Sequence, residues 1–198
     1  LLGALKFGGP SNYSEFEDDG TLRFNGGATV WNDINLPSTN LRPGLSPPSF
    51  AAVLASGGLY GFTFSATTLE ELHGSGEILH GYKEGTDLHC HVHWMPTTTN
   101  NGVVRWGLEY AWVDVNGVAG APAIIYFNQA ASGTVWQHHL APLPTITGTG
   151  RKIGSAFIFR IFRDAANIAD TYTGQAYLLQ FGIHYEIDTV GSREIATK

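Results

Sequence analysis

His89, His91 and His93 recur at every second position of the stretch Asp87-Leu88-His89-Cys90-His91-Val92-His93-Trp94-Met95-Pro96. In a strand, a spacing of two puts all three imidazoles on one face, about 6–7 Å apart. Neutral imidazole is a ligand for Zn, Fe, Cu or Ni, so His91 and His93 are spaced to converge on a transition metal. His184 is the natural third ligand if its strand lies beside the first. A divalent transition metal on His91, His93 and His184 is the one cofactor the residues suggest; otherwise none is expected. The adjacent His138 and His139 add little, because neighbouring strand residues face opposite ways. The competing reading is a row of hydrogen-bonded histidines at a subunit contact, which would loosen on acidification near about pH 6.5.

Gly85, five residues, then His91-Val92-His93 resembles the first half of the cupin motif. That resemblance implies a jelly roll and a metal-dependent activity. Thr97 and Thr98 stand where the family has its Glu, and no second half-motif with its Pro-Gly, His and Asn follows. Nucleophilic chemistry has less to draw on. There is no Gly-x-Ser-x-Gly elbow, and Cys90 alternates onto the apolar side with Trp94. Glu186 and Asp188 share a face as a glycosidase pair would, but a place near the chain end favours solvated carboxylates. Arg160, Arg163 and Asp164 read as a salt-bridged corner. Trp94, Trp106 and Trp112 fall on core-facing positions, whereas Trp31 and Trp136 are the candidates for exposed contacts.

The elements that must hold these groups are strands. Across 198 residues, 43% are hydrophobic, 12% aromatic and only 14% charged, with 25 glycines. That balance describes short strands joined by Gly-rich turns, and a surface partly covered by other subunits. A net charge of −6 gives no cationic stripe, so nucleic acid is not an expected partner. No run of about 18 apolar residues offers a membrane span. One cysteine suits synthesis in a reducing host cytoplasm.

Residues 1–20 read as an extended N-terminal arm, either a solvated tail or laid over a neighbouring subunit, and residues 21–198 as a single β-sandwich domain. Thr21 to Trp31 reads as a hairpin turned at Asn25-Gly26. Asp33 to Ser49 carries four prolines, Pro37, Pro43, Pro47 and Pro48, and is expected to be an ordered interfacial loop with no central strand. Strands are expected over Leu59–Ser65, Val103–Val115, Ala123–Phe127, Thr134–Leu140, Ile153–Arg163 and Ala176–Asp188. Glu70 to Leu79 suits a strand or a short capped helix. Ile153–Arg163 is apolar on both faces, as a covered central strand would be. In the last strand Tyr177, Leu179, Phe181, Ile183, Tyr185 and Ile187 face in. Eight to ten strands without a helical pattern give an all-β, antiparallel, jelly-roll-like β-sandwich.

Four segments carry a wider resemblance: His91-Val92-His93-Trp94-Met95-Pro96, Val104 to Tyr110, Arg160-Ile161-Phe162-Arg163-Asp164, and Ile183 to Asp188 followed by Gly191-Ser192-Arg193-Glu194. Together they resemble a family of uncharacterised tailed-bacteriophage proteins encoded among virion structural genes, over roughly Val30 to Glu194. The resemblance implies a non-enzymatic virion component. A head decoration or cement protein bound between capsomers is the first reading, and a tail knob, fibre or receptor-binding module the second. A cupin-like metal enzyme is the third reading, resting on the half-motif alone. Expected partners are copies of the chain itself, as a homotrimer, and a major capsid protein or tail proteins. The head surface is the expected location, with the tail as the alternative. His89, His91, His93, Trp31, Pro37, Pro43, Pro47 and Pro48 are the interface candidates.

Overall fold

The computed structural model describes residues 4–54 and 57–198. Among them the strands are β1 Leu5–Gly8, β2 Tyr13–Phe16, β3 Leu22–Asn25, β4 Val30–Pro37, β5 Arg42–Pro43, β6 Ser49–Ala52 and β7 Tyr60–Phe64. They continue with β8 Glu70–Glu77, β9 Leu88–Pro96, β10 Val103–Val113, β11 Ala123–Ala130, β12 His139–Pro142, β13 Ala156–Arg163 and β14 Ala176–Ile187. All pairings between these strands are antiparallel.

From β7 onward the chain is a long hairpin rolled up on itself. β7 pairs with β14, β8 with β13, β9 with β12 and β10 with β11. Lateral pairing of β14 with β9 and of β13 with β10 then closes two sheets, ordered β12-β9-β14-β7-β6 and β11-β10-β13-β8-β5. First with last and second with next-to-last is the pairing of a jelly roll, so the chain is an all-β, antiparallel β-sandwich of that kind.

The two sheets meet through large side chains dictated by alternation. Leu88, Cys90, Val92 and Trp94 of β9 and Val104, Trp106 and Leu108 of β10 are buried. Phe64 stands edge-on to Trp106 at 5.3 Å, and Phe159 meets Phe181 at 4.6 Å between ring centres. Trp94, Trp106 and Trp112 are therefore packing residues, as their positions indicate. The buried Trp94 indole N–H still has a partner, donating to Gln129 Oε1 at 2.7 Å.

Several local expectations change. The segment read as an arm contains β1 and β2, which with β3 form a separate three-stranded meander. β3 pairs with β2 and not with residues 28–31, so the Thr21–Trp31 hairpin does not form. Instead Val30–Pro37 is a strand on the edge of β14, although the prolines suggested a loop. Ile34 and Leu36 gain the core from that position, and Pro37 is tolerated because it ends the strand. The Thr134–Leu140 strand shrinks to one starting at His139, since Trp136 adopts a left-handed φ of 63°. β13 is central in its sheet, but Ile158 on its second face is open to solvent. In β14 a bulge between Leu178 and Gln180 shifts the alternation. Leu178 faces the main core before it and Phe181, Ile183 and Tyr185 after it, while Tyr177 joins a small outer cluster with Val53 and Met95.

Candidate functional site

Register assembles the histidine face. On the outer side of the six-stranded sheet, His93 lies opposite Leu140 of β12 and Gln180 of β14. His91 lies opposite Pro142 and Gly182, and His89 opposite His184. His184 in turn faces Asp33 of β4. The resulting hollow is open, about 450 Å³, and of mixed lining, with Asn35 and Gln180 beside the imidazoles and Leu140, Pro142 and Leu143 along one side.

Asp33 is the hub. Its Oδ1 lies 2.9 Å from His184 Nδ1 and 4.0 Å from His91 Nε2. His91 reaches it by lying flat over Gly182; a Cβ there would fall 2.2 Å from His91 Nε2. Trp31, two residues before Asp33 and on the same face, stacks on His184 at 4.9 Å with the planes 4° apart. It also meets His89 edge-on at 5.1 Å, which leaves its indole 47% exposed. At the other end His93 Nδ1 is 2.7 Å from His138 Nε2. Burial, then the neighbouring His91 and His138, lower the His93 pKa to about 4, so that ring is neutral at ordinary pH.

The expected three-histidine metal site is thus gathered on one face without converging. His93 turns to His138, whereas His184 and His91 both turn to Asp33, so the three rings do not share one focus. Among the described residues no group of three His, Cys, Asp or Glu is placed to hold a metal ion. His138 contributes more to this face than its adjacency to His139 suggests. It and His139 do face opposite ways, but His138 thereby completes the row, while His139 stacks on Trp94 at 4.8 Å. Asp33 was missed because its prolines hid a strand; the alternation of Ile34 and Leu36 with Asp33 and Asn35 was the available signal.

Of the interface candidates, His89 and Trp31 are exposed and His91 and His93 half-buried on this face. Pro37 lies at its margin and is exposed. Pro43 and Pro47 are exposed, but Pro43 belongs to β5 in the opposite sheet. Pro48 is buried and presents no surface.

The other candidate chemistry resolves into structure. Cys90 lies in the core, where burial raises its pKa. Burial raises the Glu186 carboxyl, but hydrogen bonds from Thr29 and Lys83 outweigh it and hold the pKa below the usual range. Asp188 pairs separately with Lys198. Arg160 bridges Glu71 and Glu109, Arg105 holds Asp164, and Arg163 is sealed inside against Asp170.

No protein-family model matches the chain, and no curated protein matches it significantly. Among solved structures it is similar to a family 35 carbohydrate-binding module from Clostridium thermocellum, at 11% identity and a TM-score of 0.46, covering 77% of this chain and 97% of that one. It is also similar to a chain of infectious bursal disease virus, Gt strain, at 12% identity and a TM-score of 0.40, covering 95% of this chain and 42% of that one. Likenesses this distant say nothing about what this chain binds.

Proposed function

We propose that this β-sandwich is a structural component of a bacteriophage virion, a head decoration or cement protein seated between capsomers as a homo-oligomer. The observation that carries the reading is a surface built to be covered. Phe7, Phe16, Phe50 and Tyr60 all stand open to water in a chain with only 14% charged residues. The histidine face adds an open, shallow hollow with an aromatic, Trp31, stacked on His184 beside it. The partners on this reading are further copies of the chain and a major capsid protein, with no nucleic acid and no resident cofactor. It is read as a binding protein and not a catalyst. Imaging of purified particles tests this. A copy number matching the capsomer junctions is expected. A few copies per particle would move the protein to the tail, and its absence from particles would end the virion reading.

A tail receptor-binding role is the second reading, favoured by one observation. Trp31 is half-exposed and stacks on His184, which lines a hollow that also holds the amides of Asn35 and Gln180, and an aromatic plane near amide groups suits a sugar. A glycan array on the isolated chain decides it, and no binding would remove it.

A further inference from the structure

The hollow on the histidine face carries one full charge and no fixed charge to balance it. Among the described residues that line it, Asp33 is the only carboxylate, and there is no lysine or arginine. The ion-pair partners of Asp33 are imidazoles alone, His184 at 2.9 Å and His91 at 4.0 Å. His93 does not supply a cation, because burial, with His91 and His138 beside it, holds its pKa at about 4.

The protons on the rings make the gap specific. A carboxylate only accepts, so His184 Nδ1 bears the hydrogen of the bond to Asp33, and the neutral ring keeps Nε2 as an acceptor. His91 Nδ1 lies 3.4 Å from the His89 carbonyl oxygen, which also only accepts. On the neutral ring His91 Nε2 is therefore an acceptor too, and it stands 4.0 Å from Asp33 Oδ1 with no proton between them. Two acceptors in that relation call for a donor that bonds both. A nitrogen about 2.8 Å from each, the length of a charge-assisted bond, sees them about 90° apart, so each N–H of an ammonium bends by only about 10°. A metal ion about 2.1 Å from each would need them about 145° apart, which neither a tetrahedral nor an octahedral site provides. Water would bring the protons but leave the carboxylate unbalanced.

We propose that the hollow seats the primary ammonium of an amino sugar between Asp33 and His91. This rests on the second reading, a tail module that binds glycan, and names the class of sugar. The volume of about 450 Å³ falls in the range of small-molecule sites. Asn35 and Gln180, whose amides lie 3.3 Å apart, offer donors and acceptors to ring hydroxyls. Leu140, Pro142 and Leu143 give the C–H face of a ring an apolar wall. A lysine side chain has no hydroxyls to use those amides, so the sugar is the favoured carrier of the charge.

Titration of the full chain at pH 7, read by calorimetry and by the imidazole nitrogen resonances, tests it. Glucosamine, N-acetylglucosamine and glucose differ only in the group on carbon 2, and Nα-acetyl-lysine methylamide carries the ammonium without the ring. Glucosamine is expected to bind and to shift His91 and His184, with the other three at least about 10-fold weaker. Asp33→Asn, which keeps an oxygen for His184, should erase the preference while circular dichroism stays native. Should that variant not fold, Gly182→Ala, which displaces His91, should weaken glucosamine by a similar factor. Equal binding of glucose or N-acetylglucosamine would overturn the ammonium seat and leave the glycan reading standing. Equal binding of the lysine probe would overturn the sugar in favour of a protein partner. Silence from every probe at about 50 mM, or a doubly protonated His91 ring in the free protein, would overturn the proposal outright, and the glycan array would then decide the second reading by itself.

Discussion

His93 Nδ1 and His138 Nε2 share a hydrogen bond of 2.7 Å, and one of the two rings must donate while the other accepts. A second proton on the pair removes the acceptor. Burial, reinforced by His91 and His138, holds His93 down at about 4 against an ordinary 6.5. The folded state therefore binds fewer protons than the unfolded state between those values, and stability rises with pH across that window. Conversely, it is lost as pH falls from about 6.5 to about 4. Since the site is partly open, solvent screening limits the effect to about 1–2 kcal/mol. Urea midpoints of wild type and His93→Gln at pH 7.5 and pH 4.5 should differ in slope, the variant losing less. Equal losses would show that the pair carries no acid sensitivity.

Gly182 and Gly148 are both crowded, but by different neighbours. A Cβ on Gly182 would meet His91 Nε2 at 2.2 Å, the far end of a side chain that can rotate. A Cβ on Gly148 would meet the Thr86 carbonyl oxygen at 1.6 Å and the Tyr82 hydroxyl at 2.5 Å, and a backbone atom cannot step aside. Gly182→Ala should cost under about 1 kcal/mol yet lift His91 away from Asp33, visible as a shift of the His91 ring resonances. Gly148→Ala should cost about 3 kcal/mol or more, or prevent folding. Thermal melts of the two variants give the comparison directly.

The jelly roll and the histidine row were legible because both rest on a period of two. Leu88 to Trp94 and Val104 to Trp112 alternate without interruption, and each buried set follows. What escaped was non-local. Pro37 marks a strand end or a loop equally well, and only the free edge of β14 decides in favour of β4. No residue type announces the bulge at Leu179, whose effect is to move Leu178 inward and Tyr177 outward. His138 joins His93 because β12 docks on β9, a relation between distant segments that local spacing does not encode.

Arg163 is the deepest charge in the described structure. Its guanidinium donates to both oxygens of Asp170, at 2.9 and 2.8 Å, and to the carbonyl oxygens of Gly174 and Tyr172. Both charged side chains are out of reach of water. Removing the anion strands the cation, so Asp170→Ala should destabilise by about 3–5 kcal/mol. Breaking the exposed Arg193–Asp19 pair, 2.9 Å apart, should cost far less, because water screens both charges. Denaturant unfolding of Asp170→Ala and Arg193→Ala tests the contrast, and similar costs would show that burial does not set the value of the pair.

Cys90 offers a probe that requires no substitution. Its side chain sits on the inner face of β9 among Val92, Leu88 and residues of the opposite sheet, and it is the chain's one cysteine. Burial raises the thiol pKa by disfavouring the thiolate, which is the reactive form. The surrounding core also denies a reagent any approach short of opening the sandwich. Native protein should therefore be inert to a thiol-reactive dye at pH 8, whereas denatured protein reacts at once. Under fast-reclosing conditions, the labelling rate across a denaturant series should follow the population of the open form. Gly148→Ala and Asp170→Ala, where they fold, should accelerate labelling in proportion to their loss of stability, and Gly182→Ala should barely change it. Rapid labelling of the native wild type would mean that the edge of the sandwich nearest β9 opens locally, and that the core does not behave as one cooperative unit.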